Sequence, residues 1–377
     1  MKISYNWLLE YLPKDEVSIK IIENPEKISE ILTSVGLEVE NLEKFEQIEN
    51  GLKGLIVGEV LTCEKHPDAD KLKITTVDSG SETLQIVCGA SNVSAGQKVI
   101  VAPVDTTLYP VSGDPFSIKK AKIRGVESNG MLCAEDEIGL GQSHEGIIVL
   151  PKDVKTGTPA SEYYNIYSDW IFEIGLTPNR MDAMSHLGVA KDICAYISHH
   201  FNIKIKPVSP FKNNFKPDKK SQPVKVEVKN AVDCERYAGI NISGIKVEES
   251  PVWLQNKLKS IGHRAVNNIV DITNFVLHET GQPLHAFDAD KIKDNKIIVE
   301  KLPEGTPFTT LDEKERKLSS NDIMICNGNG EPMCIAGVFG GTGSGVSYKT
   351  QNIFLESDVF NHYSIRKSLI LHNLRND

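Results

Sequence analysis

Between Gly54 and Pro151 the apolar residues follow the period of β-strands, whereas the segments on either side follow that of helices. This switch restricts the fold more than any other feature. Ahead of it, Asn24 can cap a helix that starts at Pro25, places Ile28, Ile31, Leu32 and Val35 on one face and stops at Gly36. Within it, β-branched runs at Leu55 to Val60, Leu72 to Val77, Leu84 to Val87 and Val99 to Val101 alternate with Gly, Asp, Ser and Asn, as in a small barrel or sandwich. Behind it, Leu187, Ala190, Ile193, Cys194 and Ile197 mark a helical stripe between Asp182 and His200. Residues 1–42 are too few to bury a core alone, because chains below about 40 residues usually need a staple or a partner. They are therefore expected to form an α/β unit with residues 152–203, with 43–151 inserted between the two parts.

Residues 204–223, rich in Pro, Lys, Asn and Ser, read as a solvated linker. From 224 to 377 a further domain mixes a strand at Val224 to Val228 with a helix over 251–261, capped by Ser250 and stopped at Gly262. A second helix follows over 268–280 and stops at Gly281. The whole reads as a multidomain α+β protein.

Composition excludes several classes. No apolar run approaches the ~20 residues that span a bilayer, and the N-terminus lacks the apolar region and small-residue cleavage site of a secretory signal. A cytoplasmic protein without membrane contact is expected. The seven cysteines are odd in number and form no Cys-x-x-Cys pair, so reduced thiols are expected; Cys63 and His66 lack the second ligand pair of a zinc site. The net charge of -9 opposes general attraction to nucleic acid, so any RNA contact must be local. Ile118 to Arg124 and Lys204 to Lys220 are the basic stretches.

Three ordered segments, Lys65-His-Pro-Asp-Ala-Asp-Lys-Leu72, Val87-Cys-Gly-Ala-Ser-Asn92 and Ala121-Lys-Ile-Arg-Gly-Val-Glu-Ser-Asn-Gly-Met131, resemble the tRNA-binding OB-fold module of several aminoacyl-tRNA synthetases. Two readings of His66, Pro67 and Asp68 stand side by side: part of an RNA surface, or a turn between two strands. Lys119, Lys120, Lys122 and Arg124 likewise either track phosphates or form a solvated strand edge. Base readout by stacking has little to work with, since only Tyr109 and Phe116 are aromatic in this region.

Leu176-Thr-Pro-Asn-Arg180 with Asp182, then Asn267-Asn-Ile-Val-Asp-Ile-Thr-Asn-Phe275, Gly281-Gln-Pro-Leu-His-Ala-Phe-Asp288, Ala336-Gly-Val-Phe-Gly-Gly341 and Ile353-Phe-Leu-Glu-Ser357 occur in the order found in the phenylalanyl-tRNA synthetase β-subunit family. Met181 stands where that family commonly has Gly. The resemblance is to the front part of bacterial-type β subunits, whose parent chain would be about twice as long. It implies a B3/B4-type editing domain in which Thr273, Asn274, His285 and Gly337 surround the ester of mischarged tyrosyl-tRNA and Glu356 reads the tyrosine hydroxyl. It also implies an α subunit as partner in an α2β2 enzyme, tRNA(Phe) as substrate, and ATP with Mg²⁺ for the complete enzyme, with no cofactor in the fragment. Without the family, Gly337 to Gly345 lacks the Gly-Lys-Ser/Thr ending of a phosphate loop. The competing readings are a free tRNA-binding OB protein, which leaves His285 and Glu356 unused, and a free-standing hydrolase of mischarged tRNA.

Overall fold

The computed structural model describes residues 1–212, 214–219 and 224–374. The chain divides into two compact units, residues 44–169 and residues 1–43 with 170–377, and both mix helix and strand. Residues 152–169 thus group with the inserted segment.

In the 44–169 unit the strands run in the order Gly130–Leu132, Lys98–Pro103, Ile56–His66, Ala69–Asp78, Thr83–Cys88, with Val149–Leu150 also on Lys98–Pro103. The run Val99-Ile-Val-Ala102 is buried on both faces: Val99 and Val101 enter one apolar cluster, Ile100 and Ala102 another. An unbroken apolar strand is what two covered faces require. The first strand extends past the expected Val60 to His66, because a bulge between Val60 and Thr62 lets pairing with Ala69–Asp78 continue. No closed barrel is present among the described residues. The ladder ends at Gly130–Leu132 and Thr83–Cys88, and the Asn129 N–H donates to Gln85 O at 2.8 Å near those edges. Pro67 and Asp68 form the two-residue turn where His66 pairs with Ala69.

In the other unit, the helix Pro25–Ser34 begins as expected, with the Asn24 side chain accepting from the Lys27 N–H. The helix His186–His200 starts later than Asp182, because Met181–Ala183 forms a 3₁₀ turn and Ser185 is the residue that caps. Arg180 bridges Asp182 and Asp192 at 3.0 and 2.5 Å, so the Thr-Pro-Asn-Arg-x-Asp element is a clamp on that helix start. The two helices share a core with Trp7, Leu8 and Phe172. Ile203 and Ile205 pack against that core, and the Val208 N–H donates to Tyr11 O at 2.8 Å. The first part of the expected linker therefore lies along the fold, for an apolar reason its lysine content conceals; residues 213 and 220–223 are outside the described residues.

From residue 224, a five-stranded sheet (Lys225–Val228, Lys296–Lys301, Ile323–Asn327, Pro332–Ile335, Phe339–Gly340) shares an apolar core with a three-stranded sheet in which Asn352–Phe360 lies between Cys234–Ser243 and His285–Asp288. Phe287, Phe354, Val299, Ile325 and Met333 fill the space between them. The helix Asn268–Thr280 is capped by Asn267, which accepts from Ile269 and Val270 N–H groups, and ends at Gly281 with φ of 81°. The cap expected at Ser250 does not form. Its hydroxyl donates instead to the buried Asp271 carboxylate at 2.5 Å, and the helix Val252–Ser260 starts after Pro251. A hydroxyl hydrogen bond to a buried carboxylate is a strong one and fixes the Ser250 side chain on Asp271. No described helix is long and apolar enough to cross a membrane.

Candidate editing-type site

Gly281 ends its helix in the left-handed conformation, and the chain then enters the strand His285–Asp288. Antiparallel pairing sets His285 opposite Glu356 and Phe287 opposite Phe354. Opposed residues share a face, so the two polar side chains and the two phenyl rings line one surface. Asp288, the end of the signature, is a structural residue: it accepts from Thr350 Oγ1 at 2.7 Å and caps the turn that follows.

The His285 imidazole stacks edge-on against Phe287 at 4.5 Å and lies against Gly340, where an added Cβ would sit 3.1 Å from Cε1. Burial lowers its pKa to about 4, so the ring is neutral near pH 7. Its nitrogens have no hydrogen-bond partner among the described residues, leaving one donor and one acceptor for a ligand.

Glu356 is 5% exposed. Burial, then the charge of Asp358, raise its pKa well above the carboxylate range, and Asp358 is raised by burial as well. A buried and a half-buried carboxyl group on one strand face tend to hold a proton between them. The Tyr237 hydroxyl donates to Glu356 Oε2. Tyr237 lies on Cys234–Ser243 opposite Asp358, and its ring stacks over Phe354 at 6.4 Å. Gly239, opposite Glu356, leaves room for the Phe354 ring, which a Cβ there would overlap at 2.0 Å.

The remaining candidates are more dispersed. The Thr273 hydroxyl donates to Val270 O at 2.7 Å within its own helix, and the Asn274 amide, partly exposed, is unpaired among the described residues. Gly337 has φ of 63° and approaches Ile365 and Phe360; the glycine against His285 is Gly340. Sequence reasoning did not single out Tyr237, Asp358 and Gly340. Asp358 was within reach, since it follows Glu356 by the two-residue period of a strand.

In the other unit, Lys119, Lys120, Lys122 and Arg124 are all exposed on or beside the hairpin Ala121–Ile123 and Val126–Ser128. Arg124 and Gly125 make its turn with φ of 48° and 90°. Lys120 pairs with Glu127 at 3.1 Å. Buried His66 accepts from the Asp68 N–H on Nδ1, so Nε2 carries the proton that faces Ile123 O at 3.2 Å. It supports the hairpin and is not part of an exposed surface.

Residues 233–377 match the model of the B3/4 domain, and residues 55–159 match that of a putative tRNA binding domain. The full chain is 53% identical to a phenylalanine--tRNA ligase beta subunit of Bacteroides thetaiotaomicron and covers 45% of it. By sequence it belongs with the phenylalanine–tRNA ligase β subunits. The subunit from Porphyromonas gingivalis is 53% identical over 98% of the chain and 44% of the relative, and that from Salinibacter ruber 42% identical over 100% and 45%. The chain therefore spans a little under half the length of the curated relatives it matches. An N-terminal fragment of the phenylalanyl-tRNA synthetase beta-subunit from Pyrococcus horikoshii, solved by crystallography, is 15% identical over 53% of this chain and 59% of that one, with a TM-score of 0.31. The buried Glu356 and neutral His285 of this chain stand in the stretch matched by the B3/4 model.

Proposed function

We propose that this chain is the editing part of a phenylalanine–tRNA ligase β subunit and hydrolyses tyrosyl-tRNA(Phe). The observation that carries the reading is the pairing of buried Glu356 with neutral His285, whose nitrogens have no partner among the described residues, on one face of adjacent strands. A synthetic pocket built for phenylalanine rejects an added hydroxyl only weakly. A second pocket inverts the test by offering a buried carboxyl group with an acceptor site that tyrosine's phenol can fill and phenylalanine's ring cannot.

In the hydrolysis, water attacks the ester carbonyl carbon, the bond from that carbon to the ribose oxygen breaks, and tyrosine leaves tRNA with a free terminal hydroxyl. His285 is suited to orient the water or carbonyl through its open nitrogens, with Asn274 and Thr273 placed on the neighbouring helix. Backbone amides in the glycine-rich stretch from Gly337 can approach the developing oxyanion. The ribose hydroxyl beside the ester can share the base role, so loss of His285 slows the reaction without ending it.

The inserted unit serves as an OB-type module that meets tRNA through Lys119, Lys120, Lys122 and Arg124. In the complete cytoplasmic enzyme an α subunit, in an α2β2 assembly, uses ATP and Mg²⁺ to charge tRNA(Phe). The described residues here contain no group of three or more His, Cys, Asp or Glu able to hold a metal.

The test is deacylation of tyrosyl- and phenylalanyl-tRNA(Phe) by the chain and by the full ligase, each beside Glu356→Ala. The expected result is preference for the tyrosyl ester in the parent and a loss of about tenfold or more in the ratio in the variant, from one buried hydrogen bond of ~1.5–3 kcal/mol. Equal hydrolysis of both esters by the full enzyme would refute the reading.

A further inference from the structure

A carboxyl group can discriminate phenol from phenyl only if it is held still. A mobile one turns to another donor when phenylalanine enters and loses little. Glu356 is held in an ordered set of contacts across two strands: Tyr237 donates to Oε2, Asp358 lies two residues along the same strand face, and the Tyr237 ring is fixed by stacking on Phe354. Asp358 is in turn fixed by accepting the Ala238 N–H at 3.2 Å, one residue from Tyr237. A carboxyl group has two oxygens and about four lone-pair sites. Tyr237 fills one of these sites and the hydrogen bond shared with Asp358 a second, so acceptor sites remain for an incoming phenol.

We infer that Tyr237 is a specificity-positioning residue: its hydroxyl anchors the Glu356 carboxyl group so that a remaining acceptor site is presented, in a fixed direction, to the tyrosine of the mischarged ester. This rests on the editing reading of the site. Tyr237 does not touch the reacting ester; it acts through Glu356. The inference differs from a packing role, which the ring alone would fill, and from a blocking role, in which the phenol would occupy the carboxyl group until substrate displaced it. Displacement would have to pull a ring out of its stack on Phe354, whereas a carboxyl group with acceptor sites to spare needs no displacement.

Tyr237→Phe separates these roles, because it removes the hydroxyl and keeps the ring. In the full ligase, deacylation of tyrosyl- and phenylalanyl-tRNA(Phe) is measured across substrate concentrations, with the melting temperature as a control. The expected outcome is a rise of about tenfold in KM for the tyrosyl ester, kcat for that ester changed far less, and the phenylalanyl ester unaffected, as loss of one hydrogen bond in a buried network predicts. An equal fall for both esters assigns Tyr237 to packing and overturns the inference. Faster tyrosyl hydrolysis in the variant assigns it to blocking and overturns it too. Glu356→Ala run in parallel identifies which premise fails. If it collapses the tyrosyl preference while Tyr237→Phe does not, the positioning role is wrong and the site reading stands; if neither changes the preference, the site reading itself is wrong. Asp358→Asn, which keeps the side-chain shape and its contact with Ala238, supplies a second variant and is expected to lower the tyrosyl preference in the same direction.

Discussion

His186 shows how a single residue can set the acid sensitivity of this fold. Its Nε2 accepts the Ser4 N–H at 3.0 Å, Nδ1 faces His278 O at 2.7 Å, and its ring stacks on Trp7 at 4.0 Å. Burial lowers its pKa from 6.5 to about 3. As pH falls below 6.5 the unfolded chain takes up a proton that the folded chain refuses, so this group costs stability down to about pH 3, by ~1.4 kcal/mol per pH unit. His285 acts with the same sign, and the raised acids Glu356 and Asp358 act with the opposite one. The difference between the parent and His186→Asn isolates the term. In chemical denaturation the variant should be less stable at pH 7.5 by ~1–3 kcal/mol for its lost hydrogen bonds, with the gap narrowing by ~1.4 kcal/mol per unit between pH 6 and 4.5. A gap independent of pH would mean that His186 takes up its proton in the folded state. At this scale the sequence was informative along a strand and silent across it. Period two connects Glu356 to Asp358, but Tyr237 reaches Glu356 from 119 positions away, through a register that only packing decides.

Elements were most legible where one residue fixes an end. Asn24 and Gly281 act locally and took the expected roles, whereas Ser250 was diverted by Asp271, a partner 21 positions on that helix-end chemistry does not reveal. The glycine-rich stretch from Gly337 shows the same limit, since its composition announces close approach without saying to what. Gly340, on the strand Phe339–Gly340, would place a Cβ 3.1 Å from His285 and 3.0 Å from Leu311; Gly337, at a left-handed turn, would place one against Ile365. Gly340→Ala should therefore slow tyrosyl-ester hydrolysis by about tenfold through a displaced imidazole, with little change in melting temperature. Gly337→Ala should lower stability by ~1 kcal/mol through its backbone and leave His285 in place. Rates and melting curves of the two variants check this. If Gly337→Ala were the one that lost activity with its stability intact, the backbone at 337, and not the contact at 340, would govern the chemistry.

For the whole molecule the net charge is -9, so tRNA cannot be held by general attraction and any binding must come from a local field strong enough to oppose it. The hairpin that carries Lys119, Lys120, Lys122 and Arg124 is exposed, and its left-handed turn at Arg124 and Gly125 keeps that arginine at the tip. The four cations are not equivalent. Lys120 already pairs with Glu127 and releases fewer counterions on binding RNA than its neighbours do. Changing Lys119, Lys120 and Lys122 together to alanine should thus flatten the dependence of log K on log salt by about 2, where three unpaired contacts would give between about 2 and 3 at ~0.7–0.9 each. Changing Lys120 alone should shift it by well under one contact. Filter binding or fluorescence titration of the chain with tRNA(Phe) between 50 and 200 mM salt measures both slopes. An unchanged slope in the triple variant would remove this hairpin from the RNA surface and leave it as a solvated strand edge.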